Sequence, residues 1–431
     1  MKLLVSTWGL PTNWSDSTYE FNGSTSRACT TLKLLHKNYD RSIVIVLDSL
    51  IDVAGKGRED SQCAKCFYSH KSDFTQGTYA ELVEKVKETV SGTLDCLGIQ
   101  NADVMVLPAT GSPAGNWRFN GNMMDYISVG LMGIYEYIKN QEDLDEIALD
   151  LTHGINFMPA LSFRMVQIIS QLAFLNNESQ KRVKFVAYNS DPFTSKCNLN
   201  INRVHSEIIT SVEIPKHLPS KMFLPNHPKG VFSDMNRLFA NEINPIISSV
   251  FYPLPLALSS LAKNRFSIDP MKIWKQNVSI DGATVNREVS LDPVAINAMI
   301  LSHILNEKVD FGCSIESLKV INERIYKRIS PVEEVLIGNE LEQIGRQIDE
   351  YQGDFPITLD KLMVDKYGNN GKYAGVVDKG ASDSQLIHAD KRVMIAHAGL
   401  QKEFVKLESS RKVIYVGEAA AIMKGAGLIL N

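Results

Sequence analysis

The sequence predicts an α/β doubly wound N-terminal domain followed by a mainly α-helical C-terminal domain. Over residues 1 to 205, short apolar runs alternate with helix-period segments. After about residue 205 that alternation stops, and from Pro293 onward the pattern is mainly helical. A chain of 431 residues also exceeds what one ordinary core holds, so two or three domains are expected.

The predicted strands are Leu3 to Val5, Ile43 to Leu47, Val104 to Leu107, Ile147 to Leu149 and Val183 to Ala187. Each is short and apolar throughout, as suits strands covered on both faces. Between them, helices are predicted around 24 to 37, 78 to 97, 123 to 139 and 156 to 175. Such alternation implies a mostly parallel sheet. Pro215, Pro219, Pro225 and Pro228 then mark a connector. Asp281-Gly282 sits in a predicted hairpin over 278 to 291, inside a small middle module. Long helices follow near 293 to 306, 314 to 328 and 331 to 351. The expected domains are 1 to 205, 206 to 295 with a possible helix-turn-helix, and 296 to 431.

Composition excludes some classes. A net charge of −4 argues against a broad nucleic-acid surface, so any such contact must be local. The Leu3-Leu4-Val5 run is too short for a secretory signal, and a cytoplasmic location is expected. The apolar stretch Val250 to Ala262, broken by Pro253 and Pro255, falls short of the ~20 residues of a membrane span; no membrane association is expected. Cys63, Cys66 and His70 have metal-like spacing but form half a site, and the two cysteines are read as plain loop thiols.

Ligands of open α/β sheets bind at the carboxyl ends of the strands. There the sequence places Ser6-Thr7-Trp8-Gly9 running on to Trp14, Pro108 to Asn122, Asp150 to Asn156, and Asn189 to Pro192. In Asp150-Leu-Thr-His-Gly-Ile-Asn156, hydroxyl and glycine residues let backbone amides approach an anion at a helix start. The plainer alternative is a turn in which Thr152 or Asn156 caps the helix. The Pro108 to Asn122 loop has one charge, Arg118, and no acid, so it can surround a phosphate. Trp8, Trp14 and Trp117 offer indole faces to a purine, although packing at the sheet edge is the commoner use of a tryptophan.

Near the carboxyl end, Ser382-Asp383-Ser384-Gln385 has capping-box spacing and opens a predicted helix running to about Glu408. Arg392 and His397 lie on it, roughly 140° apart, so one helix does not converge them. Two copies about a two-fold axis would bring two arginines and two histidines into one cleft. Histidine moves protons near neutral pH and arginine binds phosphate, which together suit RNA cleavage. The plainer use is a surface arginine beside an interface histidine.

Asp150 to Asn156 together with Arg392-Val-Met-Ile-Ala-His397 resembles the ancillary ribonucleases of type III CRISPR systems. These join a CRISPR-associated Rossmann-fold (CARF) sensor to a HEPN nuclease domain carrying an arginine, four residues, histidine motif. The resemblance implies a Rossmann-like sensor that binds cyclic oligoadenylate, in particular cyclic tetra-adenylate, as allosteric activator across a homodimer. It implies single-stranded RNA as substrate and cleavage that needs no metal cofactor. The RNA 2′-hydroxyl would attack the adjacent phosphate, leaving a 2′,3′-cyclic phosphate, with Arg392 and His397 catalytic. Ligand-binding positions carried over are Trp8, Gly9, Gly111, Thr152, His153, Gly154 and Asn156. Val393 departs from the pattern, since many relatives place asparagine after the arginine. Rival readings are a ligand-responsive DNA-binding regulator and a ring nuclease degrading its own cyclic oligoadenylate. A nicotinamide dehydrogenase is disfavoured, because Ser6 to Pro11 lacks the glycine fingerprint.

Overall fold

The computed structural model describes all residues except 53–59, 114, 142–143, 179–180, 194–197, 225–231, 263–268, 310–311, 363–388, 409–411 and 431. It divides into two compact units. The first is Met1–Thr210 with Phe223–Val231 and Asp269–Asn297, and the second is Ser211–Met222 with Phe232–Ile268 and Ala298–Asn431.

The first unit is built on an eight-stranded sheet of order β3-β2-β9-β8-β7-β1-β4-β5. Its strands are β1 Lys2–Trp8, β2 Ser17–Phe21, β3 Ser24–Ala28, β4 Arg41–Leu47, β5 Ala102–Leu107, β7 Glu146–His153, β8 Val183–Ser190 and β9 Leu199–Ile209. The five central strands pair in parallel, as all-apolar runs require when helices cover both faces. β1 and β4 are each buried along their last six residues. The helix Met158–Asn176 is long and apolar enough to cross a bilayer by length and composition. Here it packs on β7 and β8, with Met165, Val166, Ile169 and Leu172 buried.

Three features depart from expectation. The predicted helix over 24 to 37 is instead a hairpin, β2–β3, turned at Asn22-Gly23 with both residues at positive φ. Only Leu32–Leu35 is α-helical there. β9 runs antiparallel to β8 and joins the hairpin to the sheet. Cys63 and Cys66 are not loop thiols; they lie on the helix Gln62–His70 in disulfides, Cys29–Cys63 and Cys66–Cys96. Their sulfurs are committed to those bonds, and the half metal site dissolves.

Part of the middle module belongs to the first unit. β11 Thr284–Arg287 pairs antiparallel with β10 Val278–Asp281 and in parallel with β6 Arg118–Asn120. It carries Arg287 into a fully buried ion pair with Asp48, which follows β4. Arg287 also donates to the Ala109 carbonyl at 2.7 Å, and Asp48 accepts from Tyr79 Oη at 2.9 Å and from the Ala109 amide at 2.8 Å. Trp274, from the helix Pro270–Gln276, is buried against Tyr79.

The second unit is mainly helical, with a small antiparallel sheet of β12 Ile357–Thr358, β13 Val405–Leu407 and β14 Val413–Tyr415. The twenty-residue helix Pro331–Glu350 starts on the Ser330 side chain, which accepts from the Glu333 amide. It buries Ile337, Leu341, Ile344 and Ile348, the i, i+4, i+7 and i+11 stripe of one face.

Candidate functional site

The residues Asp150 to His153 are not loop but the last four of β7, paired with β1 through Trp8 and His153. Asp150 is buried and accepts from Ser6 Oγ at 3.0 Å, Thr31 Oγ1 at 2.8 Å and the Thr152 amide at 3.1 Å. A buried carboxylate with three donors is well satisfied and fixes the strand end. Thr152 does not cap the following helix: its Oγ1 accepts from the Ser190 amide at 3.1 Å, tying β7 to β8. Neither does Asn156, which sits at φ +49°, because that helix begins at Met158 without a side-chain cap.

His153 Nε2 accepts from the Thr31 amide at 3.3 Å. That contact requires an unprotonated Nε2, so the ring proton sits on Nδ1. Burial pushes the imidazole down to about 4, against the opposing pull of Asp150, and the ring is therefore neutral at physiological pH. Its face lies 4.2 Å from the Trp14 ring at 34°. Together they open onto a cleft of about 420 Å³ lined by Asn13, Trp14, Tyr19, Thr152, His153 and Asn189, among others. Ser190, Asp191, Pro192 and Phe193 also line it. Flat aromatic faces beside amide and hydroxyl groups suit a base and sugar.

The glycines act by close approach. A Cβ on Gly9 would lie 2.4 Å from Ile155 Cγ2, and its amide donates to His153 O at 2.8 Å. On Gly154 a Cβ would lie 2.6 Å from Thr7 Oγ1 and 3.0 Å from Pro159 Cγ. Both therefore hold the strand ends together. Trp8 is wholly buried and meets Trp14 edge-on at 5.1 Å; it supports the cleft from below and presents no face to it. Gly111 follows β5, three strands from β7 in the sheet, and bridges to Phe119. It takes no part in the cleft.

The Pro108 to Asn122 loop also departs from expectation, because an acid from elsewhere fills it. Asp52 accepts from the Trp117 amide at 2.7 Å, the Asn116 amide at 3.1 Å and Asn116 Nδ2 at 2.9 Å. Those donors are spent on an internal carboxylate. Trp117 is buried between Phe74 and Phe119 and serves packing. Sequence reasoning placed Trp14 and the Asn189 to Pro192 loop at the right edge, but missed Tyr19 and Thr31, which the hairpin and the turn after it deliver.

In the second unit, Arg392 lies on a helix of only six residues, Lys391–Ala396. Asp390 caps it, accepting from the Arg392 and Val393 amides at 2.7 and 3.3 Å. His397 is its C-cap. The Gly399 amide donates to Met394 O at 2.7 Å and the Ala398 amide to Ile395 O at 3.2 Å, the two bonds of a Schellman stop. Ala398 and Gly399 sit at φ +50° and +78°. The helix predicted to run to Glu408 thus ends here, and the chain turns into β13; its predicted start at Ser382 lies outside the described residues. Leu400 and Phe404, which extended the apolar periodicity, are buried by the turn and the sheet instead.

Arg392 and Val393 are exposed and His397 half-exposed. His397 Nδ1 lies 3.3 Å from Glu340 Oε2. Arg392 sits in the first turn and His397 past the last, about 7.5 Å apart along the axis. A Cβ on Gly399 would meet Tyr415 Oη at 2.9 Å and Leu254 at 3.3 Å. Gly399→Ala is therefore expected to cost about 1–3 kcal/mol, from the left-handed backbone and the clash. Chemical denaturation followed on the second unit checks it, and an unchanged midpoint would remove the steric argument.

Two family models match the chain. Residues 3–192 match the CARF domain of CRISPR system endoribonuclease Csx1, and residues 330–418 match its HEPN domain. A relative from Methanocaldococcus jannaschii, CRISPR system endoribonuclease Csx1, is 28% identical over 292 residues. That match takes in 62% of this chain and 57% of the relative's length. All of the cleft's lining except Phe193 and Leu199 falls within the first matched stretch, and Arg392 with His397 within the second. Over these two stretches the chain is similar to the CARF and HEPN domains of a CRISPR-associated ribonuclease.

Proposed function

We propose that this chain is a single-strand endoribonuclease of type III CRISPR antiviral defence, switched on by a cyclic oligoadenylate of four nucleotides. The observation that carries the reading is the placement of Arg392 and His397, capped at both ends on an exposed short helix inside the HEPN-matched stretch. An exposed guanidinium binds the scissile phosphate, and a half-exposed imidazole exchanges protons with solvent-borne substrate. The 2′-hydroxyl loses its proton to a histidine and its oxygen attacks the adjacent phosphorus. The bond to the 5′-oxygen breaks, that oxygen takes a proton, and a 2′,3′-cyclic phosphate remains. One chain carries one such histidine, so a homodimer, bringing two copies of the motif together, supplies an acid and a base. Protein groups perform every step, and no metal is needed.

The cleft supports the activator. Trp14 and His153 bring two tilted aromatic rings to its lining, and Thr152, Asn13 and Asn189 offer donors and acceptors there. RNA cleavage assayed in chelator, without ring and with rings of four and six adenylates, tests the whole reading. Cleavage is expected only with the four-membered ring, and cleavage that is equal in all three arms overturns ligand control.

Trp14→Ala is expected to weaken binding of cyclic tetra-adenylate roughly 10- to 100-fold, the worth of one or two stacked bases. Titration calorimetry reads this directly. An unaltered Kd would mean that the indole only packs against Trp8.

A further inference from the structure

We infer that Glu340 is a positioning residue for His397, holding the ring in one tautomer with Nε2 presented for proton transfer. The inference rests on the ribonuclease reading above. Glu340 lies on the helix Pro331–Glu350, one residue before buried Leu341 and three after buried Ile337. It therefore stands at the margin of the stripe that anchors this helix, and its carboxylate is 24% exposed against 41% for the His397 side chain. A carboxylate so placed accepts and does not donate. With Oε2 at 3.3 Å from Nδ1, the neutral ring keeps its proton on Nδ1 and leaves the Nε2 lone pair open. The imidazolium formed after proton abstraction gains a charge-assisted bond to the same oxygen.

Other nearby groups are committed elsewhere. Asp390 caps the Arg392 and Val393 amides, Tyr415 Oη donates to Gly399 O at 3.0 Å, and Lys391 Nζ donates to Tyr252 Oη at 3.2 Å. His397 also sits where the helix has just ended, and its side chain is half-exposed, so the ring is accessible to substrate. Base, orienting acid and open lone pair are arranged as in hydrolases whose histidine is steered by a carboxylate.

The test uses full-length protein labelled with 15N at histidine, as wild type, Glu340→Gln and Glu340→Ala. In wild type the His397 signals are expected to report the Nδ1-protonated tautomer at alkaline pH. Glu340→Ala is expected to move the ring toward the Nε2-protonated form that free imidazole side chains favour. Glu340→Gln, whose amide oxygen still accepts, is expected to keep much of the native tautomer. In RNA cleavage, kcat is expected to fall about 10-fold in Glu340→Ala, less than the roughly 10²–10⁴-fold contributed by the general base itself. KM should stay within about two-fold, with Glu340→Gln in between. A purely structural glutamate would move the melting transition and leave the tautomer alone. An unchanged tautomer in Glu340→Ala overturns the inference, and so does an unchanged kcat in an active enzyme. If wild type cleaves no RNA while the tautomer still shifts, the ribonuclease reading fails and the Glu340 contact stands.

Discussion

His397→Ala is expected to lower activated RNA cleavage by about 10²–10⁴-fold, the contribution of a positioned general acid–base group. The half-exposed ring sits past the last turn of a capped helix and takes no part in the core, so its loss should leave folding and activator binding intact. The check pairs single-turnover cleavage with calorimetric titration of cyclic tetra-adenylate on the same protein. Cleavage that persists at the wild-type rate would end the nuclease assignment of this motif. Arg392→Ala should act in the same direction but with a raised KM as well, because a phosphate-binding cation contributes to ground-state and transition-state binding alike. Val393 is exposed directly after Arg392, and Val393→Asn tests whether an apolar side chain here limits the rate. A rise in kcat would identify it as a missing contact.

Arg287→Ala is expected to destabilise the first unit by about 3–5 kcal/mol, because it strands the Asp48 carboxylate without its counter-charge. Both side chains of this pair are fully buried. Asp48 would keep only Tyr79 Oη and the Ala109 amide, and Ala109 O would lose its partner as well. The guanidinium further lies 5.7 Å from the centre of the Tyr79 ring, and a Cβ on Gly121 would crowd the Arg287 side chain at 3.2 Å. In a unit of this size the loss corresponds to a fall on the order of 10 °C in its melting transition. Removing both charges with apolar residues of similar bulk should cost much less than either single change. Calorimetry of the two single variants and the double variant measures the coupling. Near-additive losses would show that the charges do not act as a pair.

The central strands and the covering helices were legible because fully buried parallel strands leave continuous apolar runs, as in Ile43 to Leu47. The hairpin Ser17 to Ala28 was not. Its strands are half-exposed and polar, and their partner β9 lies some 180 residues away; the one local sign was Asn22-Gly23, a pair suited to a two-residue hairpin turn. That omission hid Tyr19 and Thr31, two residues that shape the cleft. Asp52 was invisible for a related reason: an acid-free loop looks receptive to phosphate until the fold brings in a carboxylate from another segment. The buried role of Trp8 and the remoteness of Gly111 likewise depend on strand order, which composition does not encode. At the carboxyl end the apolar repeat Val393, Ala396, Leu400, Phe404 mimicked one helix. Gly399 was the local sign that it stops, and Tyr415 packed against it is the distant reason.

The stop at Ala398-Gly399 and the cap at Asp390 fix the interval between arginine and histidine as a gauge with both jaws locked. An inserted residue cannot be absorbed by lengthening the helix, since the Schellman bonds and the Tyr415 contact hold one end and the Asp390 carboxylate the other. A variant of this chain that changed the count between the two would also have to rebuild a cap. In this chain a substitution at exposed Val393 or Ala396 is therefore easier to accommodate than a change in the spacing.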